Sequence, residues 1–206
     1  MVVIVIPVGL AIVTLAWLLN VGVDGRTQVR SHSTAGSAYP FTLIDQSGHP
    51  FSDTTVRGRV VLLYFGYTFC PDVCPTELGW IAHVIHALGS NGQAVAPVFV
   101  TLDPDRDTSK VLNDYVPLFQ DHLTGLTGPS AAITALANAY GVVSQRELLD
   151  PGKPNGPYSI THSSTIYVLD RDGNQVGTMG STETVESAAK RLRFLITQGV
   201  LLPPNP

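Results

Sequence analysis

Two short runs of uninterrupted apolar residues constrain the fold of this chain more than any other feature. Arg59–Gly66 reads RVVLLYFG and Ala94–Leu102 reads AVAPVFVTL. A strand with one wet face alternates polar and apolar residues. A short run without alternation fits a strand covered on both faces, as in a sheet packed between helices. Between the two runs, from Glu77 to Gly89, Leu78, Ile81, Ala82, Ile85 and Leu88 recur at helical spacing, and Gly89 is a helix stop. Downstream, Thr108 can cap a helix running to Phe119, with Pro117 in its last turn, and Ser130 can cap another running to Tyr140-Gly141. Ser163–Leu169 alternates and meets the turn Asp170-Arg171-Asp172-Gly173 before Gln175–Met179. Thr182 opens a last helix with Val185, Ala189, Leu192 and Ile196 on one face. An earlier turn, Gln46-Ser47-Gly48-His49, separates Phe41–Asp45 from the region around Phe51. The order βαβα followed by ββα predicts an α/β fold, a mixed sheet flanked by helices.

Composition separates this domain from its leader. Of 206 residues, 14% are charged against about 25% in an average soluble protein, and mean hydropathy is +0.20. That excludes a long disordered chain, which needs low hydrophobicity and high charge. The net charge of −4 leaves no general basic footprint for nucleic acid. The excess hydropathy is concentrated at Val2–Val23, which has no charged residue. As a helix this stretch would be about 33 Å long, close to the roughly 30 Å hydrocarbon core. No Lys or Arg precedes it, so it lacks the basic start of a cleaved signal peptide. We read residues 1–23 as a single transmembrane anchor, residues 24–38 as a polar, small-residue tether, and residues 39–206 as one globular domain. The domain is acidic, with ten Lys or Arg and fifteen Asp or Glu. Arg26 and Arg30, counted alone, would place the C-terminus in the cytoplasm.

The chemistry concentrates in Tyr64–Glu77, YFGYTFCPDVCPTE, where the first buried strand runs out. The two cysteines of the chain, Cys70 and Cys74, sit four apart at this strand-to-helix junction. A thiol at a helix N-terminus meets unpaired N–H groups and the positive end of the helix dipole, which lower its pKa. The pair therefore reads as a redox dithiol or part of a metal site. Two thiolates are too few for zinc, whereas Cu(I) is satisfied by two thiolates and one imidazole. Six histidines compete for that third place. His83 and His86 point away from the apolar face of their helix, His32 lies in the tether, and His49 and His122 lie in polar loops. His162 sits just before the strand SSTIYVL, at the lip of the sheet, where it can equally be a loop histidine bonded to backbone.

A second cluster, Thr101-Leu102-Asp103-Pro104-Asp105-Arg106-Asp107-Thr108, lies at the carboxyl end of the second buried strand. Open α/β sheets build their sites there. Its carboxylates could hold a hard cation, but the spacing is not that of a calcium loop. The simpler reading pairs Arg106 with a neighbouring carboxylate and caps the next helix with Asp107 or Thr108. There is no Gly-rich phosphate loop and no Gly-x-Ser-x-Gly elbow.

Taken in order, YFGYTFCPDVCPTEL, VTLDPDRDT and HSSTIYVLDRDG resemble the SCO/SenC family of cytochrome c oxidase assembly. The resemblance implies a thioredoxin-like domain held by one N-terminal span in the inner membrane, facing the periplasm or, in mitochondria, the intermembrane space. It implies one copper per chain, as Cu(I) or Cu(II), on Cys70, Cys74 and His162. It implies a metallochaperone that takes copper from a donor protein and delivers it to the binuclear copper centre of oxidase subunit II. The alternative function is thiol–disulfide exchange, in which Cys70 and Cys74 reduce the cysteines of that oxidase site and can themselves form a disulfide. Thr161 stands where many family members carry Asp. A peroxidase-like thiol enzyme would need an activating Arg near one sulfur, and none is adjacent in the motif.

Overall fold

The computed structural model describes residues 39–204. The expected anchor and tether, residues 1–38, lie outside the described residues. Among the described residues no helix is long and apolar enough to cross a membrane.

The strands are β1 Thr42–Asp45, β2 Pro50–Ser52, β3 Val60–Gly66, β4 Val95–Thr101, β5 Thr124–Thr127, β6 Ser144–Leu148, β7 Tyr158–His162, β8 Ile166–Leu169 and β9 Gln175–Met179. The helices are α1 Val73–Ala87, α2 Ser109–Tyr115, α3 Ser130–Ala139 and α4 Val185–Gln198. Seven strands form one sheet in the order β2-β1-β5-β4-β3-β8-β9. β3 runs parallel to β4, and β4 to β5, while β8 lies antiparallel on the other side of β3. The expected mixed sheet is therefore present, with the two apolar runs side by side at its centre.

Every residue of β3 and β4 is buried, and alternation along β3 divides them between two cores. Val60, Leu62 and Tyr64 face α1 and α4. Val61, Leu63 and Phe65 face the opposite core, with Ile133, Leu136 and Ala137 of α3. Burying each such side chain contributes roughly 1.5–3 kcal/mol, which is why Val60–Leu63 and Val95–Val100 are all apolar. The turns follow the expected chemistry. The Asp45 carboxylate accepts the Ser47 and His49 amides, and Asp170 accepts those of Asp172 and Asn174.

Several boundaries differ from expectation. Helix α1 begins at Val73, four residues before Glu77, so Cys74 lies inside its first turn. Helix α2 stops at Tyr115, and Pro117 falls in a short 3-10 turn, because a proline cannot supply the next helical N–H. Ser130 is the first residue of α3 rather than its cap, which is Pro129. Thr184, not Thr182, caps α4, with its hydroxyl accepting the Ser187 amide. β8 starts at Ile166 rather than Ser163, and His162 instead ends a strand of its own, β7. The β6–β7 hairpin forms a separate two-stranded sheet that the sequence reading did not anticipate.

Candidate metal centre

The carboxyl end of β3 and the start of α1 set the two sulfurs. After Gly66 the chain turns through Tyr67–Cys70, with the Cys70 amide donating to the Tyr67 carbonyl at 3.3 Å. Helix α1 starts three residues later, and its Cys74 amide donates to the Cys70 sulfur at 3.3 Å. Cys70 thus receives one of the free N–H groups of the first turn, and Cys74 Sγ points into the core. Gly66 makes that possible. A Cβ there would stand 2.8 Å from Cys74 Sγ and 3.0 Å from Phe99 Cε2.

His162 comes to the same place from 88 residues away. Its Nε2 lies 3.3 Å from Cys74 Sγ, and Sγ of Cys70, Sγ of Cys74 and an imidazole nitrogen all lie within 4.8 Å of one another. The other ring nitrogen, Nδ1, is 2.9 Å from the Ser163 carbonyl, which can only accept. In the neutral ring Nδ1 therefore carries the proton, and Nε2 presents its lone pair toward the sulfurs. The buried rings of Tyr64 and Tyr67 meet the imidazole edge-on, with centroids 6.3 and 5.9 Å away. Burial lowers the His162 pKa, opposed by the Ser163 hydrogen bond, so the neutral ligand form is favoured.

Cys74 departs from the sequence expectation. Burial pushes its thiol up to about 12. Cys74 is fully covered, and a helix dipole contributes roughly 0.3–1 kcal/mol, less than one pKa unit, so desolvation wins. Cys70 is partly exposed, and both thiols are free.

The three expected metal-site residues are therefore brought together. Their donors suit a soft ion: two sulfurs and one imidazole nitrogen. Among the described residues the cluster holds these three donors and no fourth, short of the set that structural zinc requires. His49, His83, His86 and His122 are exposed and lie outside it, as read from the sequence. Thr161 is exposed and alternates to the face of β7 opposite His162, so its side chain does not approach the imidazole through the strand.

The aspartate loop follows the simpler reading. Arg106 pairs with Asp103, and the Thr108 hydroxyl caps α2 by accepting the Val111 amide. Asp107 is not a cap. It accepts from the Thr68 amide and from the hydroxyls of Thr68 and Thr101. Tyr64, Tyr67 and Tyr158 carry no sequence signal beyond partial burial, and Gly66 reads only as the end of a strand.

The SCO1/SenC family profile matches residues 29–197. An SCO2-like protein of Rickettsia prowazekii is 40% identical over 134 residues, covering 65% of this chain and 64% of that protein. The chain thus spans just under two thirds of that curated relative. Two solved structures share the thioredoxin-like fold of the described domain. Bradyrhizobium japonicum ScoI with copper bound is 37% identical, with a TM-score of 0.70 over 77% of this chain and 98% of that one. Arabidopsis thaliana ScoI with copper bound is 34% identical, with a TM-score of 0.70 over 78% and 98%.

Proposed function

This chain belongs to the SCO1/SenC family, and from that membership and the geometry of Cys70, Cys74 and His162 we propose that it is a membrane-anchored copper metallochaperone. It carries one copper ion as cargo and delivers it to the binuclear copper centre of cytochrome c oxidase subunit II. The observation that carries this reading is the 3.3 Å approach of His162 Nε2 to Cys74 Sγ, which adds a neutral imidazole to the dithiol. Copper bound in the relatives of similar fold supports the identity of the cargo. Two thiolates suit Cu(I), and the imidazole makes Cu(II) acceptable. Cys70 and His162, both partly exposed, are the ligands that incoming donors can reach, while the buried Cys74 holds the ion from within. Residues 1–23 anchor the domain in the inner membrane, and residues 39–206 face the periplasm, or the intermembrane space in a mitochondrion. A copper donor protein loads the site.

The same asymmetry favours a second reading, thiol–disulfide exchange with the oxidase cysteines. A partly exposed Cys70 can attack and a buried Cys74 can resolve. Copper-to-protein stoichiometry separates the two. Wild type is expected to bind one copper, and Cys70→Ser and His162→Ala none tightly, in competition with a chromophoric chelator. His162→Ala is expected to leave dithiol exchange largely intact. Wild-type copper affinity in His162→Ala would reject the three-ligand site.

A further inference from the structure

We propose that the loop Thr101–Thr108 is a bracket that sets the spacing between the cysteine loop and the imidazole, with Asp103, Arg106 and Asp107 as positioning residues for the metal centre. The inference rests on the reading of Cys70, Cys74 and His162 as ligands of one ion.

The need for a bracket follows from topology. The cysteines leave the central strand β3 directly. His162 ends β7, which pairs with β6 alone, outside the seven-stranded sheet. An isolated two-stranded hairpin is marginal in water. Its β6 strand is polar, with Ser144, Gln145, Arg146 and Glu147 all exposed, and of its residues only Ile160 of β7 is buried in the core. Alternation along β7 puts Tyr158, Ile160 and His162 on one face. Tyr158 and His162 are about 14 Å apart along the strand, at about 3.4 Å per residue. What grips Tyr158 therefore keeps the strand from sliding or lifting at His162.

The loop grips both sides. Toward the hairpin, the Tyr158 hydroxyl donates to Asp103 Oδ1 at 2.7 Å, and Arg106 Nη1 donates to the Tyr158 carbonyl at 3.0 Å. The Arg106 guanidinium, oriented by Asp103 through Nε, lies 3.7 Å from the Tyr158 ring centroid. Toward the cysteines, Asp107 accepts the Thr68 amide at 2.9 Å and the Thr68 hydroxyl at 2.5 Å, two residues before Cys70. The loop is braced between these grips, since the Asp103 carbonyl accepts the amides of Arg106 and Asp107 at 3.1 and 2.8 Å. Asp103 and Asp107 are both buried. Burying two carboxylates costs free energy that capping α2 does not require, because Thr108 already caps it. Besides Thr101 and Arg106 within the loop, their carboxylates bond the two segments that carry the ligands.

The test uses the full chain with Arg106→Lys and Tyr158→Phe. Lysine keeps the charge but loses the fork and the planar stack. In the metal-free protein, amides of β6 and β7 should exchange with deuterium about tenfold faster in Arg106→Lys, the loss of roughly one charge-assisted hydrogen bond. Amides of β3 and β4 should be unchanged. Copper affinity should fall by a similar factor, with the Cys70–Cys74 reduction potential unchanged. Tyr158→Phe, which removes one hydroxyl, should move the same quantities less. Wild-type hairpin exchange in both variants would overturn the bracket. So would faster exchange throughout β3 and β4, which marks global destabilisation, or unchanged copper affinity beside a loosened hairpin. If His162→Ala binds copper like wild type, the ligand reading fails, and hairpin exchange in the metal-free variants still decides whether the loop holds the hairpin.

Discussion

At Cys74, burial and metal binding pull on the same proton. The thiol is held protonated up to about 12 because a thiolate there would lack solvent. In the proposed site a soft cation would replace that missing solvent, so loading would expel the Cys74 proton. The sign follows. Below the raised pKa the free protein always carries this proton and the loaded protein does not, so affinity rises with pH by at least about tenfold per unit. His162, with its pKa lowered by burial, is neutral at pH 7 and adds no proton there. Below its lowered pKa it must also deprotonate, and the slope steepens in acid. Copper affinity measured by chelator competition between pH 6 and 8, corrected for the chelator's own titration, should show this rise. A flat profile would mean that Cys74 is not a thiolate ligand.

Among elements, what could be read in the sequence is what pattern encodes. β3 and β4 lie where apolar runs place them, α1 buries the face that Leu78, Ile81 and Ile85 define, and Gly89 follows its last turn. Boundaries shifted where local signals compete. The residues after Cys70 already satisfy helical geometry from Val73, although the apolar period becomes visible only later. The β6–β7 hairpin was not legible, because SQREL is exposed at four of its five residues and shows no apolar alternation, and YSITH, though it alternates about the buried Ile160, is too short to stand out alone. That hairpin carries one donor of the candidate site, and His162 was singled out by family resemblance rather than by period. The two sulfurs were legible as a pair, whereas their unequal burial was not, because it depends on Gly66. The carboxyl end of β3 approaches α1 so closely that a methyl group at residue 66 would meet Cys74 Sγ at 2.8 Å. Gly66→Ala should lower stability by about 1–3 kcal/mol through overpacking and weaken copper binding by moving that sulfur. Denaturant midpoint and chelator competition on one preparation measure both. An unchanged midpoint would mean that the junction has slack.

For the molecule as a whole, the proposed anchor sets where the centre can work. Residues 2–23 carry no charge, and transfer of so many apolar side chains into hydrocarbon is favourable by many times the thermal energy. The fifteen residues of the proposed tether span at most about 50 Å in any conformation, at roughly 3.3–3.6 Å per residue. With the proposed anchor in the bilayer, residue 39, where the domain begins, would stay within that distance of the surface, in the layer where a membrane-bound acceptor would expose its own ligands. Confinement of both proposed partners to that layer would raise their effective concentration without any new contact. On the proposed reading, the anchor would serve transfer and not binding. The full chain should remain with membranes after an alkaline carbonate wash, and deletion of residues 1–23 should release a protein that binds one copper with unchanged affinity. Transfer from the released domain to a membrane-bound acceptor should then slow, and raising its concentration should restore the rate. Loss of copper affinity on deletion would instead tie the leader to the centre itself, and an unchanged transfer rate at low concentration would remove confinement from the mechanism.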